Sequence, residues 1–78
     1  MKGMKMYDAL DKLIVDALKN GPLPLRQLNR DCNATVSRIA RETNRDAFRI
    51  FDGRLQLLKR RGVIHFDKEI KKWRIIEQ

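Results

Sequence analysis

The first regular alternation of apolar and polar positions runs over Tyr7–Lys19. Its apolar positions follow the i, i+3, i+4, i+7, i+8 spacing of one side of an amphipathic helix. They are Leu10, Leu13, Ile14, Ala17 and Leu18. Residues 20–22, Asn-Gly-Pro, then supply a C-terminal cap and a proline that cannot continue the helix. The pattern predicts a first helix over residues 7–19, and residues 1–6 ahead of it are expected to be flexible.

The connector after this helix, residues 21–25, contains two prolines. A residue that precedes proline is pushed out of the α region, so the connector is expected to be extended. Leu23 and Leu25 are expected to add a short strand segment there.

A second helical pattern covers residues 25–42. Its apolar positions are Leu25, Leu28, Cys32, Val36, Ile39 and Ala40. The segment is either one bent helix or two short helices that meet near Cys32, with Asn33 capping the second. Because Asn, Asp, Thr and Ser are weak helix formers, we predict the break.

The stretch 44–61 contains both a helical stripe and a turn signal. Asp52-Gly53 is a strong hairpin signal, and the residues on either side of it alternate. The helical stripe nevertheless continues through this pair, at Ala47, Phe48, Phe51, Leu55 and Leu58. Asn44 suits an N-cap and Gly62 a C-terminal cap, and a glycine inside a helix costs only about 1 kcal/mol relative to alanine. We therefore predict one long basic helix rather than a hairpin.

The last part of the chain contains two runs rich in β-branched and aromatic residues, Val63–Phe66 and Trp73–Ile76. A charged loop, residues 67–72, separates them, which is typical of a β-hairpin. The predicted fold class is α+β, with three or four helices followed by a C-terminal hairpin. A chain of 78 residues is expected to form one domain.

The charge of the chain is strongly basic. It carries 18 Lys and Arg against 10 Asp and Glu, giving a net charge of +8 and a pI near 10.3. Residues 44–62 hold six of the cations and two of the acids, which is half of the excess. A small domain with a pI above about 9 has the electrostatic character of a nucleic-acid binder.

The predicted third helix has a polar side, directed away from Phe51 and Leu58. It consists of Arg45, Arg49, Asp52, Gly53, Gln56, Lys59 and Arg60. Arginine can pair bidentately with guanine, and glutamine with adenine. Two interpretations of Gly53 stay open. It either leaves the surface bare for a phosphate backbone or allows another helix to pack closely.

Length and composition argue against several other classes of protein. So short a chain lacks room for both a core and a large enclosed pocket, so we expect no enzymatic activity and no cofactor. Cys32 is the only cysteine, and with His65 it does not make up the ligand set of a zinc site. No apolar run approaches the length of a membrane-spanning helix. The expected location is the cytoplasm, with nucleoid association in a bacterial, archaeal or phage setting.

The order of these elements is similar to that of the winged-helix superfamily. Residues 55–64, LQLLKRRGVI, look like the junction at which the recognition helix of that superfamily enters its first wing strand. Residues 39–41, Ile-Ala-Arg, resemble part of its second helix. The resemblance covers residues 7–76, although the link over residues 21–39 is longer than usual. No glycine marks the turn before the third helix, so residues 44–46 would have to form it.

The resemblance implies a recognition helix in the major groove of double-stranded DNA and a wing on the backbone or minor groove. It implies base-edge contacts from Arg45, Arg49 and Gln56, and phosphate contacts from Arg38, Arg41, Arg60, Lys68, Lys71 and Lys72. The expected function is transcriptional regulation, with a second copy or another protein as a further partner. The alternatives are a protein-interaction module with an acidic partner and an RNA or single-strand binder.

Overall fold

The chain folds into three helices followed by a two-stranded antiparallel hairpin. A computed structural model describes the backbone of residues 2–76 and the side chains of residues 7–76. The elements are α1 (Lys2–Lys19), α2 (Leu25–Thr43), α3 (Ala47–Arg60), β1 (Ile64–Asp67) and β2 (Lys72–Ile75). This arrangement confirms the predicted α+β class with a C-terminal hairpin.

The first helix begins earlier than its apolar stripe indicates. The stripe is confirmed, because Leu10, Ile14 and Leu18 are buried. The helical backbone, however, starts at Lys2 rather than at Tyr7. The flexibility predicted for residues 1–6 concerns Met1 and side chains that lie outside the described part of the chain, and it stays a prediction.

The second helix is a single element, so the predicted break near Cys32 is wrong. Four buried residues on one side run straight through the predicted break, at Leu28, Cys32, Val36 and Ile39. Asn33 lies inside the helix and accepts a hydrogen bond from the Ser37 hydroxyl at 3.5 Å, instead of capping a new helix. Burial of a continuous apolar stripe outweighs the weak propensity of the polar residues between its members.

The turn between α2 and α3 lies at residues 44–46, as expected, but its caps differ from the prediction. Asn44 does not cap α3. It ends α2 in the left-handed conformation, with φ 55°, which asparagine tolerates better than most residues. Asp46 is the N-cap of α3, and its carboxylate accepts the backbone N–H of Arg49 at 3.0 Å.

The third helix continues through Asp52-Gly53, so the helical interpretation is confirmed and the hairpin alternative is wrong. For one member of the predicted apolar stripe, the predicted burial is wrong. Phe48, in the first turn and at the edge of the stripe, is 57% exposed, whereas Ile50 is buried. The buried side of α3 is formed by Ile50, Phe51, Leu55 and Leu58.

The hairpin pairs Ile64 with Ile75 and Asp67 with Lys72, one position away from the predicted strand ends. Leu23 in the connector forms the expected short strand segment, because its N–H and C=O both bond to Trp73, at 3.0 and 2.8 Å. Leu25 instead begins α2. The connector thus ties the beginning of α2 to β2, the second strand of the hairpin.

One hydrophobic core joins all five elements. Phe51 is fully buried and Trp73 is 7% exposed, so Trp73 closes the core beneath the hairpin. The ring of Phe66 packs edge-on against Trp73, with 5.5 Å between centroids. Cys32 also lies in the core as predicted, and burial, assisted by the charge of Asp31, raises the pKa of its thiol to about 11. A thiol with this pKa is inert at neutral pH.

Candidate nucleic-acid interface

The solvent side of α3 carries a stripe of polar residues. Arg49, Gly53, Gln56 and Arg60 recur at i, i+4, i+7 and i+11, and all four are exposed. The predicted polar side of the helix is therefore confirmed. A helix diameter of about 10–12 Å is close to the width of the DNA major groove, about 12 Å.

An open groove of about 680 Å³ lies along one flank of this stripe, between α3 and the first helix. It is lined by Tyr7, Arg45, Asp46, Arg49, Ile50, Gly53, Arg54, Leu57 and Arg60. The groove brings together three of the predicted DNA contacts, Arg45, Arg49 and Arg60. It does not include Gln56, the two α2 arginines Arg38 and Arg41, or the lysines of the hairpin.

The electrostatic character of the groove comes from arginines that have no acidic partner among the described side chains. Among the described side chains, no carboxylate lies within 4.0 Å of the guanidinium of Arg45, Arg49 or Arg60. Asp46 is near, but it caps α3 through the N–H of Arg49. The groove therefore presents concentrated positive charge that an anion can neutralise.

Arg54, the fourth arginine of the groove, has a structural partner. Its Nε and Nη2 atoms donate to the two carboxylate oxygens of Asp11 in α1, with an Nε–Oδ1 distance of 2.8 Å. Its guanidinium also lies over the ring of Tyr7, 5.2 Å from the centroid. The hydrogen bond to Asp11 raises the pKa of Arg54 above its ordinary value, against the opposing effect of burial. Arg54 thus links α3 to α1 beside the groove.

Gly53 lies in the middle of the exposed stripe, and no described side chain packs against it. A Cβ added at this position would meet no atom within 4 Å. The interpretation of Gly53 as a site of close helix packing is therefore wrong. What remains is a bare stretch of helix surface between Arg49 and Gln56.

The hairpin ends in an exposed turn that carries the three predicted lysines. Lys68, Lys71 and Lys72 are all exposed, and Lys71 adopts the left-handed conformation with φ 56°. Asp67 organises this turn by accepting the N–H of Glu69 at 3.0 Å and Arg74 Nη1 at 3.3 Å. Desolvation acts to raise the pKa of the Asp67 carboxyl, but hydrogen bonds from Glu69, Arg74 and Ile70 together lower it.

Sequence reasoning missed Arg54, Asp11 and the exposure of Phe48. The sequence signal for a structural role of Arg54 was its helical phase, which places it between the polar and apolar sides of α3. The position of Asp11 on the flank of the α1 stripe was the matching signal. The pairing itself depends on how the two helices pack, which the sequence pattern does not contain.

Within residues 2–76 no helix is both long and apolar enough to cross a membrane. Across the same described part, His, Cys, Asp and Glu form no group of three that could hold a metal ion. Comparison of the chain with protein-family models, with curated proteins and with solved structures finds no match.

Proposed function

We propose that this chain is a DNA-binding protein of the winged-helix type that acts as a transcriptional regulator. One observation carries the proposal. The exposed side of α3 and the turn before it present Arg45, Arg49 and Arg60 around one open groove, without acidic partners among the described side chains. The order of three helices and a hairpin supports the same proposal.

The proposed complex places α3 in the major groove of a DNA duplex. The helix has 14 residues and is about 21 Å long, so it can follow the groove over several base pairs. Arg45, Arg49 and Gln56 would then face base edges, where arginine reads guanine and glutamine reads adenine. Phosphate contacts come from Arg60 and from the hairpin lysines Lys68, Lys71 and Lys72.

Regulation in this proposal requires no chemical step by the protein. Occupying a DNA site, alone or with a second copy, changes access for other proteins. The corresponding location is the cytoplasm, in contact with chromosomal or phage DNA.

The proposal is tested by titrating duplex DNA at several salt concentrations. With about five phosphates neutralised, the logarithm of the binding constant should fall with the logarithm of salt at a slope near −4 to −5. In parallel, the backbone amides of Arg45, Arg49 and Lys71 should shift in the NMR spectrum. A protein whose α3 and hairpin amides do not respond to duplex DNA is not a DNA-binding protein of this kind.

The same groove supports a second candidate function, as a protein-interaction module. Besides its arginines, the groove is lined by the apolar side chains of Ile50 and Leu57 and by Tyr7, which suits an acidic peptide with apolar side chains. Such a peptide should shift the groove amides while excess duplex DNA leaves them unchanged. The DNA proposal instead requires that duplex DNA shifts the groove amides and that the acidic peptide does not.

A third candidate, RNA or single-strand binding, depends on exposed aromatic rings that stack on bases. Trp73 is buried, so Phe48 is the aromatic side chain best placed to stack. If Phe48→Ala weakens binding to a single strand and the wild type prefers that strand to duplex, this candidate replaces the duplex proposal.

Gly53→Ala should have opposite effects on folding and on DNA binding. The added methyl group meets open space, and alanine is a better helix former, so the free energy of unfolding should rise by about 0.5–1 kcal/mol. In the proposed complex the same methyl group stands where the DNA approaches the helix most closely. Duplex affinity should therefore fall by about threefold to tenfold. In free energy this loss is similar to the net contribution of about one hydrogen bond.

The matched control for Gly53→Ala is Asn33→Ala, an exposed helical position on α2 that also gains helix propensity. It should stabilise the protein and leave duplex affinity unchanged. Chemical denaturation gives the stability of both variants, and fluorescence anisotropy with labelled duplex gives their affinity. Unchanged affinity in Gly53→Ala would remove Gly53 from the proposed contact surface.

A further inference from the structure

A second basic surface runs along the solvent side of α2. We call it the arginine ridge, and it consists of Arg26, Arg30, Ala34, Ser37 and Arg41. The helical phase of these residues is opposite to that of the buried residues of α2, and the three arginines and Ala34 are exposed. Among the described side chains, no carboxylate lies within 4.0 Å of the three arginines.

The ridge is long enough to lie along several phosphates of a DNA strand. Arg26 and Arg41 are fifteen positions apart, which corresponds to about 22 Å along a helix. Phosphates follow one another every 3.4 Å along the axis of each strand, so the ridge spans about six of them. Ala34 and Ser37, between the arginines, have short side chains that do not hold a backbone away from the helix.

The ridge and the α3 groove face in different directions. Each of the three helices packs against the other two, so the outward sides of α2 and α3 diverge. The groove beside α3 opens toward α1, through Tyr7, and no residue of α2 lines it. A straight duplex seated on the outward side of α3 therefore cannot also lie along the ridge.

We propose that the arginine ridge binds the backbone of a second DNA duplex, so that one copy of the chain can bridge two duplexes. The ridge supplies charge without the base-reading side chains of α3, so its contact is independent of sequence. The inference rests on the proposed function, because the first duplex is the one held by α3.

Bridging is measured in two steps with a biotinylated duplex on beads and a fluorescent duplex without biotin. The first step records how much protein the immobilised duplex retains. The second step records how much fluorescent duplex the loaded beads capture. Wild-type protein should be retained by the immobilised duplex and should capture the fluorescent duplex.

Arg26→Gln/Arg30→Gln should bind a single duplex with a dissociation constant changed by less than about threefold, because the α3 contacts are intact. It should capture about tenfold less of the second duplex, because two phosphate contacts are lost.

The matched control is Lys12→Gln/Lys19→Gln, which removes the same charge from exposed positions on α1. It should capture the second duplex as the wild type does. If the wild type binds the immobilised duplex but captures no second one, the ridge proposal is overturned and the proposed function stands. Capture that persists in Arg26→Gln/Arg30→Gln overturns the ridge as well, because a second copy would then supply the bridge. Failure in the first step refutes DNA binding itself.

Discussion

Asp11→Ala is expected to lower the free energy of unfolding by about 1.5–3 kcal/mol, the range measured for hydrogen bonds to charged groups. The side chains of Asp11 and Arg54 are only 13% and 22% exposed, so water replaces their contact poorly. A domain of this length has a total stability of about 4–12 kcal/mol, so the loss is a large part of it. Urea denaturation followed by the fluorescence of Trp73, the single tryptophan, measures the change.

The control for Asp11→Ala is Asp16→Ala, on the same helix. Asp16 pairs with Lys19 at 3.5 Å, but both side chains are well exposed, and such pairs contribute about 0–1 kcal/mol. Asp16→Ala should therefore leave the denaturation midpoint nearly unchanged. A double-mutant cycle with Arg54→Ala isolates the coupling between Asp11 and Arg54. Equal effects of Asp11→Ala and Asp16→Ala would show that the Arg54 pair does not hold α3 against α1.

The pair should also resist alkaline pH. The pKa of Arg54 is raised, so its contribution to stability is complete below its ordinary pKa and is lost only when the pH exceeds the raised value. Stability differences between wild type and Asp11→Ala should thus stay constant from neutral to moderately alkaline pH.

Loss of Asp11 has a second consequence at the groove. It frees the guanidinium of Arg54, which then adds a cation to the proposed DNA surface. Nonspecific duplex affinity should rise rather than fall, with a salt slope steeper by about 0.9 if one further phosphate is neutralised. A less stable protein that binds DNA more tightly separates this effect from simple unfolding.

Local patterns along the chain were sufficient to predict most of the fold. The α1 stripe, the α3 stripe and the two β-rich runs each contain their own periodicity, and the structure follows them. The continuity of α2 was not predictable from propensity, because burial of Cys32 and Val36 against other elements decides it. The prediction that Asn44 caps the start of α3 was wrong for a related reason. A residue suited to an N-cap also tolerates the left-handed conformation that ends the preceding helix.

In the candidate site, too, the features set by local pattern were predictable and those set by packing between helices were not. The exposed positions of α3 follow from helical phase alone, so Arg49, Gln56 and Arg60 were predictable. The groove was not, since it exists only because α1 packs beside α3 and places Tyr7 beneath the guanidinium of Arg54. The contact of Arg38 and Arg41 with the same duplex as α3 was implied by the winged-helix resemblance, and it stays a prediction. The direction in which the α2 side chains face depends on how α2 packs against α1 and α3, and the ridge proposal depends on that packing.

Arg49→Ala is expected to weaken binding to a preferred DNA site by about 1–3 kcal/mol and to relax the sequence preference at the base pair it reads. Arg49 is the first member of the exposed stripe and lines the groove, and no described carboxylate holds its side chain. Selection of bound sites from a random duplex library first identifies the preferred site. Affinities for that site and its single-base variants then show where discrimination is lost.

Lys71→Ala is the matched control, because it removes the same charge from the turn of the hairpin. It should weaken binding to every duplex similarly and make the salt slope shallower by about 0.9, the value for one phosphate contact. Arg49→Ala should instead affect the preferred site far more than unrelated duplexes. Because base contacts specify while phosphate contacts only position, this difference separates the role of α3 from that of the hairpin. Identical losses in both variants on every duplex would mean that α3 contributes charge but does not read sequence.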